Sequence, residues 1–319
     1  MMKVVVSGAA GFVGYHLAVA LADMPDVELF CVDSHIRGED DEAYHRLQVR
    51  ANVRAFNMDL NDRAALDQLP ADPDYIFHLA ALNGTQNFYE RPFDVVRCCT
   101  LPTIFLLDRY RDCKSLKRFV YASSSEAYAS TVSRFNWPVP TDESVPLGID
   151  DVTNVRWSYG GSKMHGEIAV VAAAQQFKLP FSIIRYHNVY GPRMGDKHVM
   201  PDFLMRARKG EFVLYGHKDT RTFLYIEDAV RATIDVSRLD SCKDEIVNIG
   251  GGREIEMGEL GKIMMDLGGF EGQIDLQPSP KGSVSRRAPD LAKFKRLTGF
   301  EERWTLEDGL KQTMAFYLA

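Results

Sequence analysis

The chain has 319 residues, of which 45% are hydrophobic and 26% charged, and its formal net charge is −6 at pH 7. The acidic balance argues against nucleic acid or an anionic membrane surface as a partner. The length suits one large α/β domain with an appendage, or two domains. Five cysteines form no Cys-x-x-Cys pair, which predicts free thiols in a reducing compartment. No leader sequence, metal site or apolar run of about 18 residues stands out, so we predict a cytoplasmic protein without a membrane span.

The first predicted element is a strand over residues 4–7 that runs into glycines at positions 8, 11 and 14. A helix over residues 11–24 is predicted to follow. This order predicts a dinucleotide site, because glycines let the backbone approach a pyrophosphate and the helix N-terminus offers free N–H groups. The predicted cofactor contacts of this turn are Gly8, Gly11, Phe12, Val13 and Gly14.

The second predicted strand, residues 27–33, ends in Asp33, 19 positions after Gly14. A carboxylate at this point accepts hydrogen bonds from the adenosine ribose hydroxyls. It would repel a 2′-phosphate, so the sequence favours NAD over NADP. A third strand over residues 53–60 carries Asp59, which either reaches the adenine or caps a helix over residues 63–69.

The fourth predicted strand, residues 74–81, ends in Ala80 and Ala81, whose small side chains suit close approach to a cofactor. Within it, His78 is interpreted as a structural histidine. The amide-rich loop over residues 82–89 is a predicted substrate contact, because it follows the carboxyl end of a strand. A helix over residues 94–113 is expected to be kinked or divided at Pro102.

The fifth predicted strand, residues 116–122, leads into a cluster of hydroxyl side chains over residues 121–128. Tyr159 and Lys163 follow, four positions apart and therefore on one helix face. An ammonium group and a cationic nicotinamide would lower the phenol pKa. Tyr159 could then take a proton from a sugar hydroxyl while a hydride leaves the same carbon for NAD+.

Together these motifs resemble the extended short-chain dehydrogenase/reductase family, in particular its NAD-dependent nucleotide-sugar epimerase/dehydratase branch. The resemblance covers nearly the whole chain and includes Ser-Ser-Ser at 123–125 and Arg-Tyr-His-Asn-Val-Tyr-Gly-Pro-Arg at 185–193. It implies an α/β fold, a Rossmann-type doubly wound parallel sheet with a smaller C-terminal α/β substrate domain. Residues 1–188, with 223–249 returning, would bind NAD, and residues 189–222 and 250–319 would bind the nucleotide sugar.

The resemblance also implies individual roles. Ser124 falls on the family's catalytic Ser/Thr. Glu126 occupies a position where dehydratases and some decarboxylases carry an acid, and it either moves a proton during elimination or bonds locally. Arg221 and Arg287 match arginines that grip the substrate diphosphate. The catalytic set is thus Ser124, Glu126, Tyr159 and Lys163. Further predicted NAD contacts are Asp59, Leu60, Leu79, Ala80, Ala81, Tyr159, Lys163 and Tyr186, and the substrate contacts are Asn83, Gly84, Thr85, Ser125, Asn188, Val199, Arg221 and Arg287.

The implied reaction begins with hydride transfer from sugar C4 to NAD+, which leaves a 4-keto sugar. Epimerisation is the leading expected outcome, with dehydration, decarboxylation and net oxidation as alternatives. Glu126 and the segment Arg-Trp-Ser-Tyr at 156–159, which resembles uronate decarboxylases, favour elimination or decarboxylation. A non-catalytic NAD-binding scaffold is the alternative from another class, disfavoured by the intact Ser124, Tyr159 and Lys163. The family further implies a homodimer built through residues 94–113 and 159–177.

Overall fold

The computed structural model describes residues 1–135, 137–279 and 284–319. The strands of this described part are β1 (Met2–Ser7), β2 (Val27–Asp33), β3 (Val53–Asn57), β4 (Tyr75–His78), β5 (Arg118–Ser124), β6 (Phe181–Tyr186), β7 (Val189–Tyr190), β8 (Val213–Tyr215), β9 (Thr220–Thr222), β10 (Leu224–Tyr225), β11 (Glu245–Ile249), β12 (Glu254–Glu256), β13 (Asp275–Gln277) and β14 (Arg286–Arg287). The α-helices are α1 (Phe12–Ala22), α2 (Glu42–Gln48), α3 (Thr85–Glu90), α4 (Pro92–Tyr110), α5 (Ala129–Phe135), α6 (Ser158–Phe177), α7 (Val199–Ala207), α8 (Ile226–Arg238), α9 (Met257–Gly268), α10 (Ala292–Thr298) and α11 (Leu306–Leu318).

Among the described residues, seven strands form one sheet in the order β11-β6-β5-β4-β1-β2-β3. Every neighbouring pair in it is parallel. The chain builds outward from β1 in both directions, so the strand order reverses between β1 and β4. Open α/β sheets bind ligands at such a switch point, outside the carboxyl ends of the strands. The predicted Rossmann-type fold is confirmed.

The sheet is covered on both faces, which explains the unbroken apolar run of β1. Val4 and Val6 pack into the core on one side of the sheet. Val5 packs into the core on the other side. All three side chains are fully buried. Continuous β-branched runs of this kind are typical of parallel strands with helices on both faces.

Strand register brings the predicted site residues to one edge of the sheet. Ser7 at the end of β1 pairs with His78, and His78 pairs with Tyr121 of β5. Ser124 at the end of β5 pairs with Tyr186 of β6. The carboxyl ends of four adjacent strands therefore meet where the glycine turn begins.

Smaller sheets lie beside this edge, namely β7 with β10, β8 with β13, and β9 between β12 and β14. Arg221 of β9 pairs directly with Arg287 of β14. Strand β11 returns to the edge of the main sheet beside β6. The division into an NAD-binding and a sugar-binding domain stays a prediction.

Two local predictions need correction. The loop after β4 contains α3, because Phe88 supplies a buried apolar anchor, 3% exposed, for a short helix. Helix α4 is not divided at Pro102, because this proline is buried where α4 packs along α6 and the packing outweighs the missing backbone hydrogen bond. The expected kink stays a prediction.

Asp228 lies inside α8, and its side chain does not cap the start of that helix. Its carboxylate instead accepts the backbone N–H groups of Arg303 and Trp304 at 2.8 and 3.0 Å, and it therefore fixes the chain that leads into α11. No α-helix of the described chain is both long and apolar enough to span a membrane.

Candidate active site

The glycine turn after β1 forms a tight cradle with no room for side chains. Gly8 has a φ of +76°, and a Cβ at Gly8 would lie 2.8 Å from the backbone nitrogen of Ala80. A Cβ at Gly14 would lie only 1.9 Å from the Gly8 carbonyl oxygen. Gly11 precedes α1 and no side chain caps its first turn. The free N–H groups at the start of α1 are suited to a pyrophosphate, and the individual contacts stay predictions.

Two acids follow on the adjacent strands. Asp33 accepts hydrogen bonds from the backbone N–H groups of Ala10 at 2.9 Å and His35 at 2.8 Å, which fixes its carboxylate at the mouth of the turn. Asp59 accepts from the backbone and side chain of Asn61. The N–H of Ala64, in the next helical turn, is instead accepted by Asp62. The helix-cap interpretation of Asp59 is therefore wrong.

A single cavity of about 520 Å³ runs along the carboxyl edge of the sheet and gathers most of the predicted site residues. From the turn and the strand ends it is lined by Gly8, Gly11, Phe12, Val13, Gly14, Asp33, Asp59, Leu60, Leu79, Ala80, Ala81, Ser124, Ser125, Glu126 and Tyr186. From the loops and flanking helices it is lined by Asn83, Gly84, Thr85, Tyr159, Lys163, Asn188, Val199 and Arg287. The roles assigned to these residues stay predictions.

Arg221 is the predicted contact that does not line this cavity. Its guanidinium donates to the Thr220 carbonyl at 2.8 Å and lies 3.7 Å from Asp219. Burial and the neighbouring Arg287 lower its pKa to about 10. Arg221 thus lies behind Arg287, one strand farther from the cavity.

Helix α6 presents Tyr159 and Lys163 on one face beside the end of β5. The Lys163 ammonium donates to the Ala122 carbonyl at 2.7 Å and lies 5.6 Å from the centre of the Tyr159 ring. The Ser124 side chain lies close enough to Tyr159 to lower the pKa of the phenol. The three predicted catalytic groups are therefore adjacent, with both side chains of α6 almost fully buried.

Burial changes the expected acid–base behaviour of this group. In the chain alone, burial raises the pKa of Tyr159, and the nearby Cys99 and Glu126 raise it further. Burial also lowers the pKa of Lys163. The lowered phenol pKa that the sequence predicts is thus not a property of the protein by itself, because desolvation outweighs the lowering effects of Ser124 and Arg37.

Glu126 lies between two arginines at the wall of the cavity. Arg287 donates to one carboxylate oxygen at 2.7 Å, and Arg156 lies 2.9 Å from the other. Burial would raise the pKa of Glu126, but the two guanidinium groups outweigh it and lower the pKa to about 2. Glu126 is therefore a fixed negative charge rather than a proton carrier in the chain alone.

A buried polar network supports the catalytic residues from behind. Glu167, one helical turn after Lys163, accepts the Ser123 hydroxyl at 2.5 Å and pairs with Arg185 through bonds of 3.0 and 2.7 Å. Arg185 also donates to the hydroxyl of Tyr128, which donates to Asn248. Glu167 could have been predicted from the sequence, because it follows Lys163 by four positions and therefore lies on the same helix face as Tyr159 and Lys163.

His78 is held by structural contacts, in agreement with its interpretation from sequence. Its ring nitrogens make hydrogen bonds with Ser7 at 2.7 Å and Thr103 at 2.9 Å. Burial lowers its pKa to about 3, so it is neutral.

Other cavity residues were missed by sequence reasoning. Arg37 lines the cavity and donates to the Asn83 carbonyl. Arg193 also lines it and forms an ion pair with Asp41. These contacts cross long stretches of chain, so no local pattern indicates them.

Comparison with known proteins agrees with this geometry. The model of the NAD dependent epimerase/dehydratase family matches residues 4–250. UDP-N-acetyl-alpha-D-glucosaminuronate decarboxylase of Bacillus cytotoxicus is 30% identical, with 99% of this chain and 97% of that protein covered. UDP-glucose 4-epimerase of Thermotoga maritima, solved with UDP-glucose, is 27% identical with a TM-score of 0.87 and 99% of each chain covered.

The fold is also that of a UDP-glucuronic acid 4-epimerase variant from Bacillus cereus, solved with NAD and a fluorinated UDP-sugar. The two chains are 23% identical with a TM-score of 0.89 and 99% of each covered. The chain therefore belongs to the NAD-dependent epimerase/dehydratase family and is an NAD-dependent enzyme of the extended short-chain dehydrogenase/reductase type.

Proposed function

We propose that this enzyme oxidises C4 of a UDP-linked uronic acid and that the resulting 4-keto acid loses its carboxyl group as CO2. The observation that carries the proposal is the convergence of Arg156 and Arg287 on Glu126 at the cavity wall. Two guanidinium groups beside one carboxylate leave a net positive charge, which suits an anionic sugar. Relatives named as uronate decarboxylases support the same choice.

NAD+ bound along the glycine turn supplies the hydride acceptor. Tyr159 takes the proton of the C4 hydroxyl, and the neighbouring Ser124 side chain holds that hydroxyl in line. The Lys163 ammonium stabilises the phenolate that receives the proton.

The C4 ketone makes the C6 carboxylate a β-keto acid. When the C5–C6 bond breaks, CO2 leaves and the electron pair moves onto the C4 oxygen, where the protonated Tyr159 donates a hydrogen bond. A proton from water then adds at C5, the hydride returns to C4, and Tyr159 gives its proton back to the C4 oxygen, so the reaction is redox-neutral. Arg287, which lines the cavity, orients the sugar carboxylate. Because Glu126 already neutralises part of the charge of Arg287 and Arg156, the carboxylate is held less tightly than an unpaired arginine pair would hold it.

Epimerisation at C4 is the second candidate. The match to a UDP-glucose 4-epimerase over 99% of each chain favours it. The two outcomes share the oxidation step and differ in whether the 4-keto sugar keeps C6.

Mass spectrometry of products from UDP-glucuronate, UDP-N-acetylglucosaminuronate and UDP-glucose separates the candidates. Loss of the mass of CO2 from a uronate, abolished in Tyr159→Phe, supports the proposal. An unchanged mass with changed chromatographic retention would instead establish epimerisation and refute decarboxylation.

The family's homodimer is also part of the proposal. Val96 and Ile104 on α4 and Ile168 on α6 are exposed apolar side chains on neighbouring helices. A second copy would bury them. Light scattering should give twice the chain mass, and Ile168→Glu should give a monomer; a monomeric parent protein would refute this.

The five free cysteines support a cytoplasmic location, which fractionation of the native host would test.

A further inference from the structure

A stack of three side chains covers the catalytic phenol. The ring of Phe88 on α3 lies against that of Tyr159, with centroids 5.2 Å apart and planes 13° from parallel. The guanidinium of Arg156 lies 5.2 Å from the centre of the Phe88 ring. Arg156 is in turn paired with Glu126. A continuous set of contacts therefore joins the charged cavity wall to Tyr159.

Phe88 is placed to act on Tyr159 alone among the catalytic groups. It is 3% exposed and packs with Val95, Cys99 and Tyr159 in a small apolar cluster. Aromatic pairs of this geometry are stabilised beyond the area that they bury. A cation over an aromatic ring adds a further attraction.

We propose that Phe88 is a positioning residue for Tyr159, and that Arg156 holds Phe88 in the stack through its ion pair with Glu126. The inference rests on the proposed role of Tyr159 as proton acceptor, and not on which sugar is bound. Phe88 fixes the plane of the phenol and excludes water from it. Both effects matter, because a small displacement of a reacting group costs a large factor in rate.

The charges around Tyr159 predict what loss of the stack would change. Burial is the largest cause of the raised pKa of Tyr159, and the Phe88 ring supplies part of that burial. The titratable and charged groups that face the phenol are Lys163 on the same helix and, from other elements, Arg37, Cys99, Tyr121 and Glu126. Phe88→Leu leaves all of these in place and admits water to the ring, so the pKa of Tyr159 should fall.

The test compares Phe88→Leu with Phe88→Tyr, which keeps a ring, and with Phe93→Leu as a matched control on the exposed start of α4. Absorbance titration of each protein against its Tyr159→Phe counterpart reports the phenol pKa of Tyr159 alone. We expect Phe88→Leu to lower that pKa by about one unit or more. We also expect kcat to fall about 10- to 100-fold with KM unchanged, and Phe88→Tyr to restore most of it.

Three results would overturn the inference. The first is a Tyr159 pKa and kcat in Phe88→Leu equal to those of Phe93→Leu. The second is a raised KM with kcat unchanged, which would make Phe88 a substrate contact. The third is failure of Phe88→Tyr to restore kcat while its melting temperature matches the parent protein. If the parent turns over no UDP-uronate, the proposed function fails, and the titration still decides the role of Phe88.

Discussion

Replacing Glu167 with glutamine should be among the most destabilising conservative changes in this protein. The side chains of Glu167 and Arg185 are only 5% and 4% exposed, and they share two hydrogen bonds of 3.0 and 2.7 Å. Glutamine keeps the volume and one acceptor but removes the negative charge. Arg185 would then be a buried cation without its partner.

The magnitude follows from that burial. Removing one member of a buried ion pair costs about 3–5 kcal/mol, because the remaining charge stays desolvated. In a chain of this size each kcal/mol lowers the melting temperature by about 2 °C, so Glu167→Gln should lower it by about 6–10 °C. Turnover should also fall, because Glu167 accepts the hydroxyl of Ser123 beside the predicted catalytic residue Ser124.

Differential scanning calorimetry at pH 7 measures the effect. The matched control is Glu42→Gln, which breaks the exposed Glu42–Arg46 pair, of similar length at 2.7 Å but with side chains 86% and 65% exposed. Exposed pairs contribute about 1 kcal/mol or less, so the control should melt within about 2 °C of the parent. A second test removes both charges through Glu167→Gln with Arg185→Met, which should recover part of the loss.

The reasoning would be refuted if Glu167→Gln melted within the range of Glu42→Gln. It would also be refuted if the double variant melted at a lower temperature than Glu167→Gln, because the two substitutions would then destabilise the protein independently. Either result would mean that the buried guanidinium finds compensation elsewhere in the network.

Three further predictions concern the cofactor turn and the charged wall. Gly14→Ala should abolish NAD binding in calorimetric titration, since its Cβ would lie 1.9 Å from the Gly8 carbonyl oxygen. Gly11→Ala should retain weakened binding, because its Cβ would lie 3.2 Å from the same oxygen. Equal NAD affinities of the two variants would contradict this. Asp33→Ser should weaken NAD binding about 10- to 100-fold while NADP binding falls less, because a charged hydrogen-bond acceptor for the ribose is lost. Glu126, whose pKa is lowered from 4.5 to about 2 in the folded chain, contributes stability that is complete above pH 4.5 and lost as the pH falls toward 2. The melting-temperature difference between the parent protein and Glu126→Gln should therefore shrink between pH 6 and pH 3, and a constant difference would argue against the ion pairs.

The cofactor site was largely predictable from local patterns. The spacing of Gly8, Gly11 and Gly14 fixes a turn whose contacts lie within a few residues, and Asp33 ends a strand that pairs directly with β1. The positions of the first five strands were also predictable, because buried parallel strands are short unbroken apolar runs. Their bounds were less accurate, since β3 and β4 end at Asn57 and His78, three residues earlier than predicted. The helix after β4 was missed because its anchor, Phe88, packs against a residue 71 positions away in the chain.

The sequence by itself determined that a phosphate cradle opens the chain and that a phenol and an ammonium share one face of a helix. Both follow from spacing within a single element, which the backbone period translates directly into geometry. Only the tertiary structure decided what surrounds the phenol. Arg287 reaches Glu126 across 161 positions of chain, and Phe88 reaches Tyr159 from a separate helix. Because burial and distant charges set the pKa values of Tyr159 and Glu126, their protonation states belong to the packed molecule and to no local segment of it.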